Sequence, residues 1–411
     1  MLKKRIYLDY AAATPMSKGV LEAMKPYFSE KFGNPNSLHS YGAEANLEIE
    51  KVREKIKTIL EAGEEDEIIF TSSATESNNL AIQGVVRRWW RENNKVRQDE
   101  KKPHIIVSQI EHDAVIQIAK QLEKRGECTV TYLGVDKTGL IKTEDLRAAI
   151  KPRETILVSI IHGHYQFGTI QNLTELIKIC RDEEGYNGEK ILFHTDAAQS
   201  FGVTDIKVKE MGIDLLTASG AKIYGPKGIG FLYKSQRVGK LEALLYGGGQ
   251  EMGQRSGTLA VPLIVGMGAA VEEMIGKRDE ENRRLSELRD YTIDKILMEI
   301  EGAKLNGVMA TKEGKNERLP SNIHFSFPGA EGEALLLALD AAGIAVSTGS
   351  ACSSLSLEPD HSLLALGLGP EAAHGSLRIT LGRETKKEDL DYLVGELKII
   401  VKKLRELSPL G

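Results

Sequence analysis

Cysteine is scarce in this chain: 411 residues contain three, Cys128, Cys180 and Cys352. An odd and sparse count makes no disulfide scaffold and points to a reducing compartment. No C-x-x-C pair or Cys/His cluster has the spacing of a zinc site, so no resident metal is expected. Long apolar runs are also missing; nothing approaches the roughly 18 residues needed to cross a bilayer. Met1-Leu2-Lys3-Lys4-Arg5 could open a signal peptide, but Asp9 and Tyr10 interrupt the apolar run too early, so a cytoplasmic location is expected. Positive charge has no excess: 54 basic against 59 acidic residues give a net charge of −5, so no global basic field argues for nucleic acid. Arg87–Lys102 carries ten charged residues in sixteen, but Asp99 and the glutamates dilute its basic charge, and it reads as a solvated helix end. Apolar residues at 41% and charged residues at 27% exclude a disordered or fibrous chain, and the length suits two domains. Glycine is plentiful at 40 residues while proline stands at 12, which fits tight turns and backbone lying close to a ligand.

Seven short apolar runs read as strands: Glu67–Thr71, His104–Gln109, Thr129–Leu133, Thr155–Ile161, Lys190–Thr195, Asp214–Ala218 and Gly228–Lys234. Several are apolar at consecutive positions, as expected for strands buried on both faces. Helical stretches such as Thr75–Trp90 and Asp113–Lys124 separate most of them, which predicts an α/β architecture with a mainly parallel sheet. Gly228–Lys234 follows its predecessor too closely for a helical crossover, so that strand is expected to run antiparallel. After about residue 260 the pattern changes. A long charged helix (Glu272–Glu301) is followed by strands near Asn322–Phe327, Ile344–Ser347 and Ser376–Leu381 and helices at Gly332–Ala341 and Lys387–Leu407. This is a smaller α+β unit, and the segment up to about Pro15 can pack with either part.

Ligands of open α/β sheets sit beyond the carboxyl ends of the strands. After the first strand comes Ser72-Ser73-Ala74-Thr75-Glu76, small hydroxylated residues at a helix start, where free N–H groups suit a phosphate or form a plain cap. Glu111-His112 follows the second strand, and its histidine is equally a base, a ring stacker or a structural residue. Asp196 closes the fifth strand; a carboxylate there needs a cationic partner unless it merely caps the next helix. A protonated pyridine nitrogen is one such partner. The sixth strand runs into Ser219-Gly220-Ala221-Lys222, and a lysine beside glycine-rich turns can form a Schiff base with an aldehyde. Lys227 is the nearest rival. Together these are the needs of pyridoxal 5′-phosphate (PLP): a phosphate cradle, a ring stacker, a carboxylate for the ring nitrogen and a lysine for the aldehyde.

The chain resembles cysteine desulfurases of the IscS/NifS type over nearly its whole length. The resemblance rests on Tyr7-Leu8-Asp9-Tyr10-Ala11-Ala12-Ala13-Thr14-Pro15, Gly33-Asn34-Pro35-Asn36-Ser37, Ala74-Thr75-Glu76-Ser77-Asn78-Asn79 and Glu111-His112-Asp113-Ala114. It continues in Asp196-Ala197-Ala198-Gln199-Ser200, Arg255-Ser256-Gly257-Thr258 and Gly349-Ser350-Ala351-Cys352-Ser353-Ser354. It implies the PLP fold type I, with a large cofactor domain over 16–262 and a small domain made of 1–15 and 263–411, including a mobile cysteine loop at 348–356. It also implies a role for each matching residue. Lys222 holds the cofactor and moves protons, Asp196 meets the ring nitrogen, Gln199 bonds the ring hydroxyl, and His112 stacks on the ring and serves in acid–base steps. Ala74, Thr75 and Ser219 bind the phosphate, joined by Thr258 from the partner of a homodimer. Arg378, helped by Asn34, clamps the substrate α-carboxylate with its guanidinium fork. Cys352, set among small polar residues that suit an exposed loop rather than a core, attacks the sulfur of L-cysteine and becomes a persulfide as alanine leaves. The sulfur passes to an Fe–S scaffold of the IscU type or another acceptor protein.

Two positions depart from the family pattern. Ala221 stands where the family has a phosphate-binding histidine before the lysine. His164-Tyr165-Gln166 stands where the family has Asn-Asn-Glu, so Tyr165 takes the place of the asparagine at the ring hydroxyl and is expected to bond the ring oxygen itself. His164 could replace a missing histidine function or simply pack. Two other readings stay open on these grounds. One is a related PLP lyase or transaminase with another substrate; the other is a catalytically weak scaffold in which Cys352 ligates a cluster transiently.

Overall fold

The structure is a computed structural model that describes residues 5–93, 101–187, 190–309, 317–349 and 359–407. Its strands are β1 (Ile6–Tyr7), β2 (Glu67–Thr71), β3 (His104–Ser108), β4 (Thr129–Leu133), β5 (Thr155–Ser159), β6 (Leu192–Asp196), β7 (Leu215–Ser219), β8 (Gly230–Lys234), β9 (Lys304–Leu305), β10 (Asn322–Ser326), β11 (Ile344–Ala345), β12 (Ser347–Thr348) and β13 (Ser376–Thr380). Its helices are α1 (Lys18–Met24), α2 (Pro26–Ser29), α3 (Ser40–Ile59), α4 (Ala74–Glu92), α5 (Asp113–Lys124), α6 (Thr143–Ala149) and α7 (Leu173–Asn187). The series continues with α8 (Val208–Met211), α9 (Val261–Glu299), α10 (Gly332–Ala341), α11 (His361–Ala365), α12 (Pro370–His374) and α13 (Lys387–Leu407).

The seven expected strands form one sheet in the order β2-β8-β7-β6-β5-β3-β4. All neighbours pair in parallel except β8, which runs antiparallel to both β2 and β7. The short connection ahead of β8 leaves no room for a crossover helix, which is why this strand alone reverses. Helices cover both faces. Ile106, Val158, Phe193, Leu216 and Phe231 face one apolar cluster with α3 and the start of α9, and Ile105, Val107, Leu157, Leu192, Leu215 and Leu232 face another with α4 and α5. Alternate residues of each strand thus enter different cores, which explains why the runs are apolar throughout instead of alternating. α5 carries Val115, Ile116, Ala119 and Leu122 on its buried face and starts at His112, whose ring Nδ1 accepts the Ala114 amide.

A second core joins α10, α13 and the later half of α9 to the sheet β12-β13-β10-β9. α9 starts at Val261, ahead of the expected Glu272, because Pro262 sits in its first turn and Ile264, Met267 and Val271 continue its apolar face into the larger core. The strand expected over Ile344–Ser347 divides. Ile344–Ala345 pairs in parallel with β1, then Ser347–Thr348 pairs antiparallel with β13, so the chain changes sheets at Val346.

The N-terminal segment packs against both units. Ile6 and Leu8 lie in the smaller core, and Ala11 donates its amide to Thr380. Three residues on, Thr14 donates its amide to the Ala221 carbonyl at the end of the large sheet. It lies beside the ends of β6 and β7, where Gln199 and Lys222 donate to its carbonyls.

Candidate active site

Parallel pairing places Asp196 opposite Thr217, so the ends of β6 and β7 stand side by side. Asp196 is nearly buried, and both its oxygens are fixed: Oδ1 accepts the Ala198 amide at 2.9 Å and Oδ2 accepts Nδ2 of Asn78 at 2.7 Å. Among the described residues no lysine or arginine pairs with it. A buried carboxylate held by two neutral donors is costly without a positive charge, so the site suits a cationic ring nitrogen. Asn78, on the inner face of α4, has a buried Oδ1 without a partner, further polar capacity at the same place.

The opposite wall is the turn after β7. Ser219 ends the strand, and Gly220–Lys222 forms one 3₁₀ turn. A Cβ on Gly220 would lie 2.7 Å from the Pro226 carbonyl, so the close turn that presents Lys222 requires glycine. Lys222 Nζ donates to the carbonyls of Ala11 (2.6 Å) and Ala12 (2.7 Å), and Gln199 Nε2 donates to the Ala11 carbonyl as well (2.9 Å). Lys227, the rival lysine, donates to the Thr14 carbonyl at 3.3 Å. The Ala221 carbonyl is occupied by Thr14 through both its amide and its hydroxyl.

The phosphate side is the start of α4. Ser73 caps the helix by accepting the Glu76 amide, and Ala74 and Thr75 open the first turn. Gly230 of β8 lies beneath it. A Cβ there would sit 2.8 Å from the Ser73 carbonyl carbon and 3.0 Å from the Ala74 nitrogen, so glycine is what lets the helix start approach the sheet. Arg255 pairs with Glu76 at 2.8 Å and fastens the Arg255–Thr258 run beside this turn. Thr258 itself is exposed in the single chain, and so is Asn34, whose Oδ1 accepts the Asn36 amide; neither meets the other proposed residues among the described contacts. The donor set fits PLP: a helix N-terminus for phosphate, a buried carboxylate for the ring nitrogen and a lysine amine for the aldehyde.

His112 caps α5 at the edge of this space and presents its ring edge-on to Tyr165, with centroids 5.3 Å apart. Because Nδ1 accepts an amide, the proton of the neutral ring sits on Nε2. The Tyr165 hydroxyl, proposed to bond the ring oxygen, donates to Oδ2 of Asp360 at 3.3 Å. His164 is fully buried and stacks on Phe167 at 3.7 Å. Its Nε2 bonds the Ile110 carbonyl and its Nδ1 accepts the Gln166 amide, and burial pushes its pKa down to about 3.

Arg378 lies mid-strand in β13, nearly buried, with Nη2 paired to Asp9 at 2.9 Å and Nη1 reaching Oε1 of Gln166 at 3.5 Å. Its buried Nε has no partner. Cys352 lies outside the described residues, as do residues 350–356 of the loop expected around it. Cys128 and Cys180 are buried free thiols whose pKa burial pushes up to about 12, which makes both poor nucleophiles.

Pattern reading passed over four residues at this site: Asp9, Asn78, Gln166 and Asp360. Asn78 had a signal, since it lies one turn beyond Ala74 on the buried face of α4. Asp9 lies 369 residues from Arg378 in the chain, and no local pattern announces that pairing.

The architecture and the site define a PLP-type α/β enzyme. The family model for aminotransferase class-V matches residues 6–393. Cysteine desulfurase IscS of Dictyoglomus turgidum is 47% identical over 408 residues, covering 99% of this chain and 97% of its own. Cysteine desulfurase IscS 1 of Archaeoglobus fulgidus is 45% identical, covering 98% and 99%. Among solved structures, a NifS-like protein superposes with a TM-score of 0.85 at 34% identity over 97% of this chain and 100% of its own. A protein described as SspA in complex with cysteine superposes with a TM-score of 0.74 at 36% identity, over 92% and 99%. The chain belongs to the class-V aminotransferase family, and within it to the IscS-type cysteine desulfurases, which are PLP-dependent enzymes.

Proposed function

We propose that this chain is a PLP-dependent cysteine desulfurase in which Cys352 receives the sulfur. The observation that carries the reading is the gathering of Asp196, Lys222 and His112 at one sheet edge, with Arg378 approaching from the smaller core. When bound, PLP supplies an electron sink for bond changes at the substrate Cα and Cβ. The chain supplies the rest. The start of α4 with Thr75 and Ser219 holds the phosphate, Asp196 keeps the ring nitrogen protonated, and His112 and Gln199 fix the ring. Lys222 takes and returns the substrate α-proton at Nζ, leaving the Ala11 and Ala12 carbonyls to do so. Arg378 binds the α-carboxylate, with Asn34 beside it.

The Cys352 thiolate attacks the substrate sulfur. A sulfur–sulfur bond forms, the Cβ–S bond breaks with its electron pair retained on the carbon side, and protonation at Cβ completes L-alanine. The balance is L-cysteine and a thiol in, L-alanine and a Cys352 persulfide out, with no external oxidant. The persulfide sulfur then passes to an acceptor protein, for which an IscU-type Fe–S scaffold is the family's model. The two cores support a cofactor domain and a smaller domain close to 16–262 and 1–15 with 263–411, with the first half of α9 packing in the larger core. A homodimer is supported by the exposure of Thr258, the residue that the family resemblance assigns to a partner's phosphate site, and by the exposed side chains of Phe28, Phe32, Leu38 and Tyr246. The unpaired buried thiols favour a cytoplasmic setting.

The test is L-alanine and sulfide release from L-cysteine with a reducing thiol. Cys352→Ala is expected to abolish release while retaining the cofactor's visible absorption. An unaffected variant rejects the role of Cys352, and elimination products other than alanine favour the lyase reading.

A further inference from the structure

The loop that carries His112 from β3 into α5 is held by side chains from far along the chain. The consecutive carbonyls of Ile110 and Glu111 each accept an imidazole N–H at 2.9 Å, the first from Nε2 of His164 and the second from Nε2 of His361. A carbonyl only accepts, so both rings carry a proton on Nε2. His361 opens α11, and Asp360 caps that helix by accepting the Ser362 amide and hydroxyl on Oδ1. The other oxygen of Asp360 accepts the Tyr165 hydroxyl at 3.3 Å and Nε2 of Gln166 at 3.1 Å. Burial alone would raise the Asp360 carboxyl, but the Ser362 bond, the nearby His361 and Gln166 keep it below the usual carboxylate range, so it accepts at both oxygens. Leu363 and Leu366 of α11 pack with Ile110, Ile161, Tyr165 and Phe167, so the helix is seated on an apolar patch as well.

Two of these contacts bear on His112. Its Nδ1 accepts the Ala114 amide at 3.1 Å, which fixes one atom of the ring and leaves its tilt to packing. The packing comes from Tyr165, whose ring meets His112 at 71° with centroids 5.3 Å apart and is itself stacked on His164 at 4.7 Å. Asp360 anchors the hydroxyl end of the Tyr165 ring, and His361 holds the carbonyl of the residue just before His112. We propose that Asp360 and His361 are positioning residues for His112, one acting through the Tyr165 ring and the other through the Glu111 carbonyl. A functional side chain keeps within about 0.5 Å of its productive geometry only when its neighbours lock it there. Here the lock comes from a helix 250 residues further along the chain, so seating α11 and setting the His112 ring are one event. This inference rests on the reading of His112 as the residue that stacks on PLP and serves in acid–base steps.

The test follows the visible circular dichroism of PLP in the holoenzyme, which reports how the ring is held, alongside kcat for L-alanine formation. His361→Ala and Tyr165→Phe each cut one link, and the phenylalanine keeps an aromatic ring beside His112. The double variant His361→Ala/Tyr165→Phe is expected to lose about half of the dichroic band or more. Its kcat is expected to fall about tenfold, with KM for L-cysteine within about twofold. His361→Gln, whose amide can still donate to the Glu111 carbonyl, is expected to recover what His361→Ala loses. In a His112→Gln background, where Lys222 still holds the cofactor, the double substitution should change neither the band nor the residual rate, because the residue it acts through is gone. A further loss in that background, as a direct contact of Tyr165 with the cofactor would give, overturns the proposal. So does a double variant with the wild-type band and kcat, including one that only melts at lower temperature, and so does a His361→Gln variant as impaired as His361→Ala. A wild-type protein that binds PLP yet forms no L-alanine overturns the reaction assigned above, and the dichroic comparison still decides this one. A chain that binds no PLP overturns both.

Discussion

Asp9 and Arg378 tie the N-terminal segment to the smaller core: a carboxylate from that segment meets a strand arginine at 2.9 Å, with Arg378 almost fully buried. Removing one partner of a buried pair costs about 3–5 kcal/mol, because the remaining charge has lost its compensation. Asp9 is a fifth exposed, so the lower end applies. Asp9→Ala is expected to destabilise the protein by about 3 kcal/mol in urea unfolding. A bound carboxylate should stand in for the missing one, so L-alanine should raise the melting temperature of the variant more than that of wild type. Equal shifts would separate Arg378 from substrate binding.

Five buried histidines make the fold sensitive to acid. His194 lies between Ser159 and Thr217, His104 between Thr155 and Thr131, and His324 against Asn306, each hydrogen-bonded while neutral. Burial holds His104 and His162 down to about 4 and His164, His194 and His324 to about 3. The unfolded chain binds these protons near pH 6.5 and the folded chain does not, so stability is lost as pH falls from about 6.5 toward 4. Each such proton contributes up to about 1.4 kcal/mol per pH unit. Urea midpoints at pH 7, 6 and 5 should fall with growing steepness, and a flat profile would contradict the burial of these rings.

Glu111 works in the opposite sense. It is fully buried, with Oε1 accepting from Ser108 and from the Ile161 amide and Oε2 unpartnered. Burial, reinforced by Asp196, pushes its pKa up to about 8 in spite of those hydrogen bonds. The folded state holds this proton between about 4.5 and 8 while the unfolded state has released it, so the contribution to stability declines as pH rises through that window. Glu111→Gln should remove the decline. Its melting temperature relative to wild type is expected to be higher at pH 8 than at pH 5, and a constant difference would place the proton elsewhere.

Much of this was legible because it is local. Consecutive apolar residues in Ile105–Val107 and Leu215–Leu216 report a sheet covered on both sides, and the small residues before Asn78 report a helix start. Asp196, Lys222 and His112 declare themselves by standing at strand ends. The pairs that tune the site were not legible, since Asp9 with Arg378 and Gln166 with Asp360 join segments 369 and 194 residues apart. The contact of the Tyr165 hydroxyl with Asp360 was hidden for the same reason, since Asp360 lies 195 residues further on, where no periodicity points. Val346, where the chain changes sheets, likewise carries no sign of the switch.

Two of the three cysteines share one environment. Cys128 and Cys180 are buried with raised pKa values, so a disulfide reagent should modify them only on unfolding. A Cys128→Ala/Cys180→Ala variant is expected to retain desulfuration within about twofold, whereas Cys352→Ala loses it. Loss of activity in the double variant, with melting temperature preserved, would place a second sulfur carrier in this chain.

Gly230 offers a test of the phosphate side that leaves every proposed chemical group in place. Its missing Cβ would press on Ser73, Ala74 and the Ala218 carbonyl at 2.8–3.0 Å, all of them backbone atoms with little freedom to yield. Gly230→Ala must therefore push the start of α4 away from the sheet or strain β8, and a helix N-terminus loses its hold on an anion within a few tenths of an ångström of hydrogen-bond geometry. The variant is expected to bind PLP at least tenfold more weakly in an absorbance titration of cofactor-free protein, while inorganic phosphate protects it less against unfolding than it protects wild type. Wild-type affinity in this variant would move the phosphate site off the start of α4.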